Sequence, residues 1–267
     1  MGIRLCAMMW FGWLPLLLLA QSRTEVVDFY LDPVGKAYYL LEDDQLITLN
    51  PLGGNTYNWY DSSLGSPDYV DVTNPFQILV YYRDYGQIVV LDRTLSELDR
   101  LDLFANPAIE QPGVVARSYA GGIWVFDNWN YRLLRLDERG AVDQQTNNLR
   151  LQLNEPGEPT ALYVARNHVM LYFPEVGRLA VFTNYGRFER WVEVPETATL
   201  SWLAPRLLGT GPTGNWLWQP GLFTVQPLEA LPEQLATARR ILAGNGGYLS
   251  VDPRTLQLRT TEFGKKN

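Results

Sequence analysis

The chain has 267 residues, 46% of them hydrophobic and 13% aromatic, and its 29 acidic side chains outnumber 22 basic ones for a net charge of −7. That length suits one large core and is short for two ordinary domains. The acidic balance, with no basic block before the terminal Gly-Lys-Lys-Asn, argues against nucleic acid and anionic membrane surfaces as partners, because both require a positive footprint.

At the start of the chain, Arg4 precedes an apolar run from Cys6 to Ala20 broken by Pro15, and Ala20 to Ser22 supplies small residues for a peptidase. This is the pattern of a secretory signal over residues 1–20, cut after Ala20 or Ser22, with one domain over 21–267. The same run is just long enough to act as an uncleaved anchor instead. Cys6 lies inside the run, so it is not placed for lipid attachment. Its loss with the signal leaves no thiol for disulfides, catalysis or metal binding. The expected location is the periplasm, the outer membrane or the cell surface, with no direct membrane insertion after cleavage.

Further along, one pattern recurs. Leu46–Gly54, Ile88–Ser96, Leu133–Ala141, Leu179–Arg187 and Leu222–Ala230 each read as an alternating apolar strand, a polar residue and a turn. The polar residues are Asn50, Asp92, Asp137, Thr183 and Gln226, spaced 42 to 46 apart. That interval is the period of a β-propeller blade, about 40–45 residues for four strands. Before each comes another apolar strand (AYYLLED, ILVYYRD, IWVFDNW, VMLYFPE), reached from an upstream one (VVDFYLD, YVDVTNP, VVARSYA, TALYVAR). More polar strands follow (NTYNWYD, ELDRLDL, RFERWVEV). Continuous apolar strands flanked by a half-wet outer one fit the middle and rim of a blade. The expected fold is all-β, a single propeller of six blades whose last is incomplete or completed by N-terminal residues, with five blades as the rival count. A copy from Tyr248 arrives early, strands around Arg206–Gly221 are not assignable, and a short helix is expected only near residue 235.

One unit, Gly122–Gly140, resembles an NHL repeat: Asp127, Asn130, Arg132, Asp137 and Gly140 stand where that motif has its Asp, Asn, Arg, Asp and Gly. The match covers about one blade. Beyond it the chain is similar in general to secreted NHL-like and YncE-like bacterial propellers, and its start resembles envelope proteins of the Bacteroidota. The resemblance implies a propeller fold and a binding role and carries over no active site. The residues also have local uses: Asp127 and Asn130 should hold turn backbone groups, Gly140 should allow a positive φ, and Arg132 and Asp137 should pair across the surface.

Chemistry has few candidates. His168 is the sole histidine, so the usual three-ligand zinc site is excluded, and no G-x-S-x-G turn accompanies a serine nucleophile. Calcium is the alternative cofactor to none at all: Asp28 and Asp71 are expected at equivalent inner-strand positions, with Asn74 three residues on, and oxygen ligands suit that ion. The corresponding places in the third and fourth units are Ala116 and Ala161, which leaves half of such a ring missing. Glu42, Asp43, Asp44, Asp99 and Asp102 read as solvated faces. Trp216, Trp218, Trp124 and Phe126 read as core, and Tyr57, Trp59 and Tyr60 crowd an outer strand. Trp129 and Tyr131, beside a hairpin knuckle, are the aromatics expected to be partly exposed as interface anchors.

These features point to a non-enzymatic exported propeller that docks an envelope protein partner, as an accessory of an assembly or secretion complex, using Asp28, Asp71, Arg117, Arg166, Trp129 and Tyr131. The alternative is a calcium-dependent hydrolase or small-carbohydrate binder at the central channel, through Asp28, Asp71 and Asn74.

Overall fold

The structure is a computed structural model that describes residues 25–263 apart from 51–55, 120, 155, 236–237, 239 and 253–254. The expected signal segment, residues 1–20, lies outside the described residues. Six small antiparallel sheets follow one another along the chain. Blade 1 holds β1 (Val26–Leu31), β2 (Ala37–Leu41), β3 (Leu46–Leu49) and β4 (Thr56–Trp59). Blade 2 holds β5 (Tyr69–Asp71), β6 (Ile78–Tyr82), β7 (Gln87–Leu91) and β8 (Glu97–Asp102). Blade 3 holds β9 (Pro112–Arg117), β10 (Ile123–Asp127), β11 (Arg132–Leu136) and β12 (Val142–Gln145). Blade 4 holds β13 (Ala161–Ala165), β14 (His168–Phe173), β15 (Arg178–Thr183) and β16 (Phe188–Glu193). Blade 5 holds β17 (Thr199–Leu203), β18 (Arg206–Gly211), β19 (Gly214–Trp218) and β20 (Gln226–Leu228). Blade 6 has three strands among the described residues, β21 (Leu242–Ala243), β22 (Gly247–Val251) and β23 (Leu258–Glu262).

Alternation along the second strands builds the ring. On β6, Ile78, Val80 and Tyr82 pack with Tyr38 and Leu46 of blade 1, whereas Leu79 and Tyr81 pack with Val125 and Leu134 of blade 3. Each middle strand therefore serves two interfaces, which is why ILVYY and VMLYF read as unbroken apolar runs. Trp124 and Phe126 join Leu171 and Phe173 across the next interface, and Trp216 and Trp218 join Met170 and Leu179 across the one after. The last blade meets the first through Leu242, Phe29 and Tyr39, and the Tyr39 hydroxyl donates to the Leu256 carbonyl at 2.7 Å. Packing thus closes the ring, since blade 1 has its own four strands and no described N-terminal strand completes blade 6.

The repeated polar residue proves to be a turn device. Asp92 Oδ1 accepts from the amides of Thr94 and Ser96 at 2.7 and 2.9 Å, and Asp137 Oδ1 accepts from Arg139 and Ala141 at 2.8 and 2.9 Å. Thr183 Oγ1 stands to Tyr185 and Arg187 in the same way. A side-chain oxygen that seats two amides replaces the strand ladder where the chain reverses. The residue three further on takes a left-handed φ, +81° at Gly140 as expected and +60° at Leu95.

Three assignments change. Leu222–Ala230 is not a third strand but a loop leading into the outer strand β20, and the third strand of blade 5 is β19, inside the stretch the pattern left open. The copy from Tyr248 is a second strand, β22, followed by its turn, so its early arrival reflects a different place in the blade. Among the described residues helix is confined to single turns: 3₁₀ turns at Arg83–Tyr85, Pro174–Val176 and Glu233–Leu235, the last where a helix was expected, and one α-turn, α1 (Arg150–Leu153), that was not. No described helix is long and apolar enough to cross a membrane.

Candidate functional site

Antiparallel strands put the first-to-second and third-to-fourth turns at one end of every blade and the second-to-third turns at the other. At the first end, the loops after the inner strands of five blades surround a mouth of about 610 Å³. Pro33 comes from blade 1, Thr73–Phe76 from blade 2, Arg117–Tyr119 from blade 3, Val164–Arg166 from blade 4, and Ala204 and Pro205 from blade 5. Phe76 and Tyr119 are 66% and 73% exposed. Below lies a channel cavity of about 160 Å³, where Asp28, Tyr30, Tyr69, Asp71, Tyr163, Trp202 and Arg240 meet. Thr73 and Ala204 line both spaces, which are therefore consecutive.

Asp28 is held by an ion pair with Arg240, by the Phe29 amide at 2.7 Å and by the Tyr30 hydroxyl, which donates at 3.0 Å. The Arg240 guanidinium also lies 5.2 Å from the Tyr30 ring centre. Burial raises the Asp28 carboxyl above its ordinary value and outweighs these partners. Burial likewise raises the Tyr30, Tyr69 and Tyr163 phenols. Asp71 is a tie between blades. Its Oδ1 accepts from the Thr73 amide and hydroxyl at 2.9 and 2.5 Å, and its Oδ2 accepts from the Arg117 amide at 2.8 Å.

The expected equivalence of Asp28 and Asp71 does not hold. Asp71 pairs with Leu79 and, through it, Val90, two residues before the turn residue Asp92. The residue at that level in blade 1 is Tyr30, paired through Tyr38 to Thr48, and in blade 4 it is Tyr163, not Ala161. Asp28 lies two residues away along β1. Asn74 lines the outer mouth and spends its Oδ1 on the Phe76 amide at 3.0 Å. The trio proposed for calcium is therefore split between two cavities, with its oxygens engaged by protein donors. Among the described residues no three His, Cys, Asp or Glu side chains group as metal ligands.

Arg117 and Arg166 do come together at the mouth. Arg117 is 7% exposed, and its two Nη atoms donate to the Gln77 side-chain and main-chain oxygens at 3.2 and 3.0 Å. Burial lowers its affinity for its proton, against the fields of Asp71 and Glu138. Arg166 is exposed and occupies the two-residue β13–β14 turn with φ +48°.

Trp129 and Tyr131 sit at the opposite end and part company. Trp129 is 66% exposed, as expected. Tyr131 is 4% exposed: its ring packs edge-on against Phe126, and its hydroxyl donates to the Gly157 carbonyl at 2.6 Å. It is core, not an anchor, because its left-handed φ of +51° turns the side chain back under the hairpin. Asp127, fully buried, accepts from the Gln111 amide and from Asn130 Nδ2, the turn role read from the sequence. Arg132 does not pair with Asp137; it donates to the Ala108 carbonyl at 2.8 Å and lies 3.9 Å from Asp127. His168 Nε2 lies 3.4 Å from Glu189 and lines neither cavity. Sequence reasoning missed Phe76, Tyr119 and Arg240. The first two carry a signal, large rings in loops between apolar strands; Arg240 lies in irregular chain and carries none.

The ring of six sheets defines the class: a six-bladed β-propeller. Solved propellers of low sequence identity share it. A streptogramin B lyase matches with TM-score 0.60 and 12% identity over 92% of this chain and 86% of that one. A catalytically inactive virginiamycin B lyase from Staphylococcus aureus with quinupristin gives 0.59 and 12% over 93% and 87%. The Pan2 WD40 domain of Neurospora crassa gives 0.56 and 8% over 90% and 80%. No protein-family model matches the chain, and no curated protein matches it in sequence. The likeness is one of fold, and the NHL and YncE resemblance gains no family match.

Proposed function

We propose that this propeller is a non-enzymatic docking platform for a protein partner and that it works in the cell envelope after export. The observation that carries the reading is the mouth, where Phe76 and Tyr119 stand exposed on adjacent loops above an apolar cavity. Exposed rings grouped around a concave surface are the usual anchors of a protein interface. Six blades packed side chain to side chain hold those loops in place, so little order is lost when a partner binds. Fold cannot choose between enzyme and platform, since it is shared with lyases and with a WD40 domain. The exposed rings of the mouth support the platform, and in the channel below it Asp28 and Asp71 are already engaged by protein donors. Export rests on the sequence pattern of residues 1–20, and an accessory role in envelope assembly or secretion follows from that location.

The test is co-purification of the full chain from its native cells with wild type, Phe76→Ser with Tyr119→Ser, and Trp129→Ser. A partner retained by wild type and Trp129→Ser but lost from the double variant supports the reading. Loss on Trp129→Ser alone would move the interface to the opposite face, and turnover of a lactone or glycoside by the pure protein would overturn the non-enzymatic assignment.

A further inference from the structure

Arg117 closes β9, the strand PGVVAR, and is drawn inward by the Asp71 carboxylate on its amide. Its guanidinium is then buried with only neutral oxygens to bond, both from Gln77, and its Nε has no partner. A buried cation is costly unless an anion answers it. The fields of the Asp71 and Glu138 carboxylates answer part of that charge, but neither makes a hydrogen bond to the guanidinium, and both Asp71 oxygens are engaged by neutral donors. None of the residues lining the mouth is acidic, although the chain carries 29 acidic side chains against 22 basic. The mouth's own lining thus carries two cations and no anion, the channel acids Asp28 and Asp71 lying below it, an arrangement that favours an anion at the rim.

Arg166 supplies a second cation at the same mouth, from the neighbouring blade 4. No hydrogen bond or ion pair engages its side chain among the described residues, and it occupies a left-handed turn position that glycine or asparagine takes more easily. The free fork of Arg166 can grip a carboxylate through two oxygens, and Arg117, its own fork held by Gln77, adds the field of a second cation beside it. The walls beside them are apolar: Pro33, Pro75, Phe76, Tyr119 and Pro205. A small carboxylate would leave much of Phe76 and Tyr119 wet, since they are 66% and 73% exposed; a chain that continues over the rim covers them.

We propose that the mouth receives an acidic polypeptide segment, with an Asp or Glu carboxylate seated on Arg166 within the field of Arg117 and an adjoining large apolar side chain against Phe76 and Tyr119. This rests on the docking reading above and names the chemistry of what docks.

The experiment uses the full chain and fluorescein-labelled Gly-Ser peptides with a central Phe-Glu-Leu, Phe-Gln-Leu or Phe-Lys-Leu, read by anisotropy at low and high salt. The expected result is that the Glu peptide binds at least about tenfold more tightly than the Gln peptide and loses that advantage in salt. Arg166→Glu should remove the preference and favour the Lys peptide. Arg166 is exposed, so this variant keeps the test valid even if Arg117→Gln misfolds. Equal affinity for the Glu and Gln peptides, or an Arg166→Glu protein that still prefers Glu, overturns the proposal. So does a mouth that binds free phenylacetate but none of the peptides, which would make it a small-molecule site. If co-purification still depends on Phe76 and Tyr119 while the acidic preference is absent, this inference falls and the platform stands; if neither is seen, both fall.

Discussion

Gly209→Ala, on β18 of blade 5, tests whether the large buried rings need small residues opposite them. Gly209 pairs with Trp216 across the sheet, and a Cβ at Gly209 would land on the indole, within 2.5 Å of its Nε1. The ring has nowhere to go, being fully buried among blade 4 and blade 5 side chains, with its Nε1 donating to Thr197 Oγ1 at 3.1 Å. Forcing it aside costs about 1–3 kcal/mol of overpacking, and losing the hydrogen bond adds about 1 kcal/mol. The backbone is not left-handed there, so reduced freedom of the unfolded chain returns about 0.4–1 kcal/mol. The net loss is about 1–3.5 kcal/mol, a fall in Tm of about 2–14 °C for a domain of this size. Urea and thermal unfolding by circular dichroism measure it. In a Trp216→Leu background the same glycine change should cost under about 1 kcal/mol, because the clashing atoms are gone. A loss below about 0.5 kcal/mol in the parent, or an equal loss in both backgrounds, would refute the reasoning.

Tyr131→Phe removes the hydroxyl from the Gly157 carbonyl and should cost about 1 kcal/mol in urea unfolding, whereas Trp129→Ser, at an exposed ring, should stay within about 0.5 kcal/mol; the reverse order would mean the two residues have been misplaced. Asp127→Ala strands the buried donors of Gln111 and Asn130 and should cost at least about 2 kcal/mol, with Asp127→Asn milder because an acceptor remains; equal losses would show that charge, not acceptance, matters. Asp61 is held below its ordinary value of 3.8 by the Ser63 hydroxyl and amide and by Arg100. A depressed carboxyl stabilises the fold above the unfolded value and loses that contribution as pH falls through the folded one. Asp61→Asn should therefore flatten the decline of the urea midpoint below about pH 4, and an unchanged slope would remove Asp61 from the acid response.

What the sequence determined by itself is local and periodic. Asp92, Asp137 and Thr183 announced the blade because each seats its own turn two and four residues ahead, a device complete within a few residues. ILVYY and VMLYF announced buried middle strands because both of their faces meet apolar neighbours. Asp127 and Gly140 were legible for the same reason. Tertiary structure alone decided depth and company. β1 spans six residues and β5 three, so matching VVD to YVD put Asp28 and Asp71 at one level when cross-strand register sets them two residues apart. Tyr131 and Trp129 are two residues apart in one knuckle, yet one left-handed residue sends the first inward and leaves the second in water. Arg240 reaches Asp28 from the far end of the chain, and Arg117 and Arg166 share a mouth only because blades 3 and 4 are neighbours in the ring. Turns and periods follow from contacts a few residues long, whereas a site assembled from five blades depends on how the ring closes.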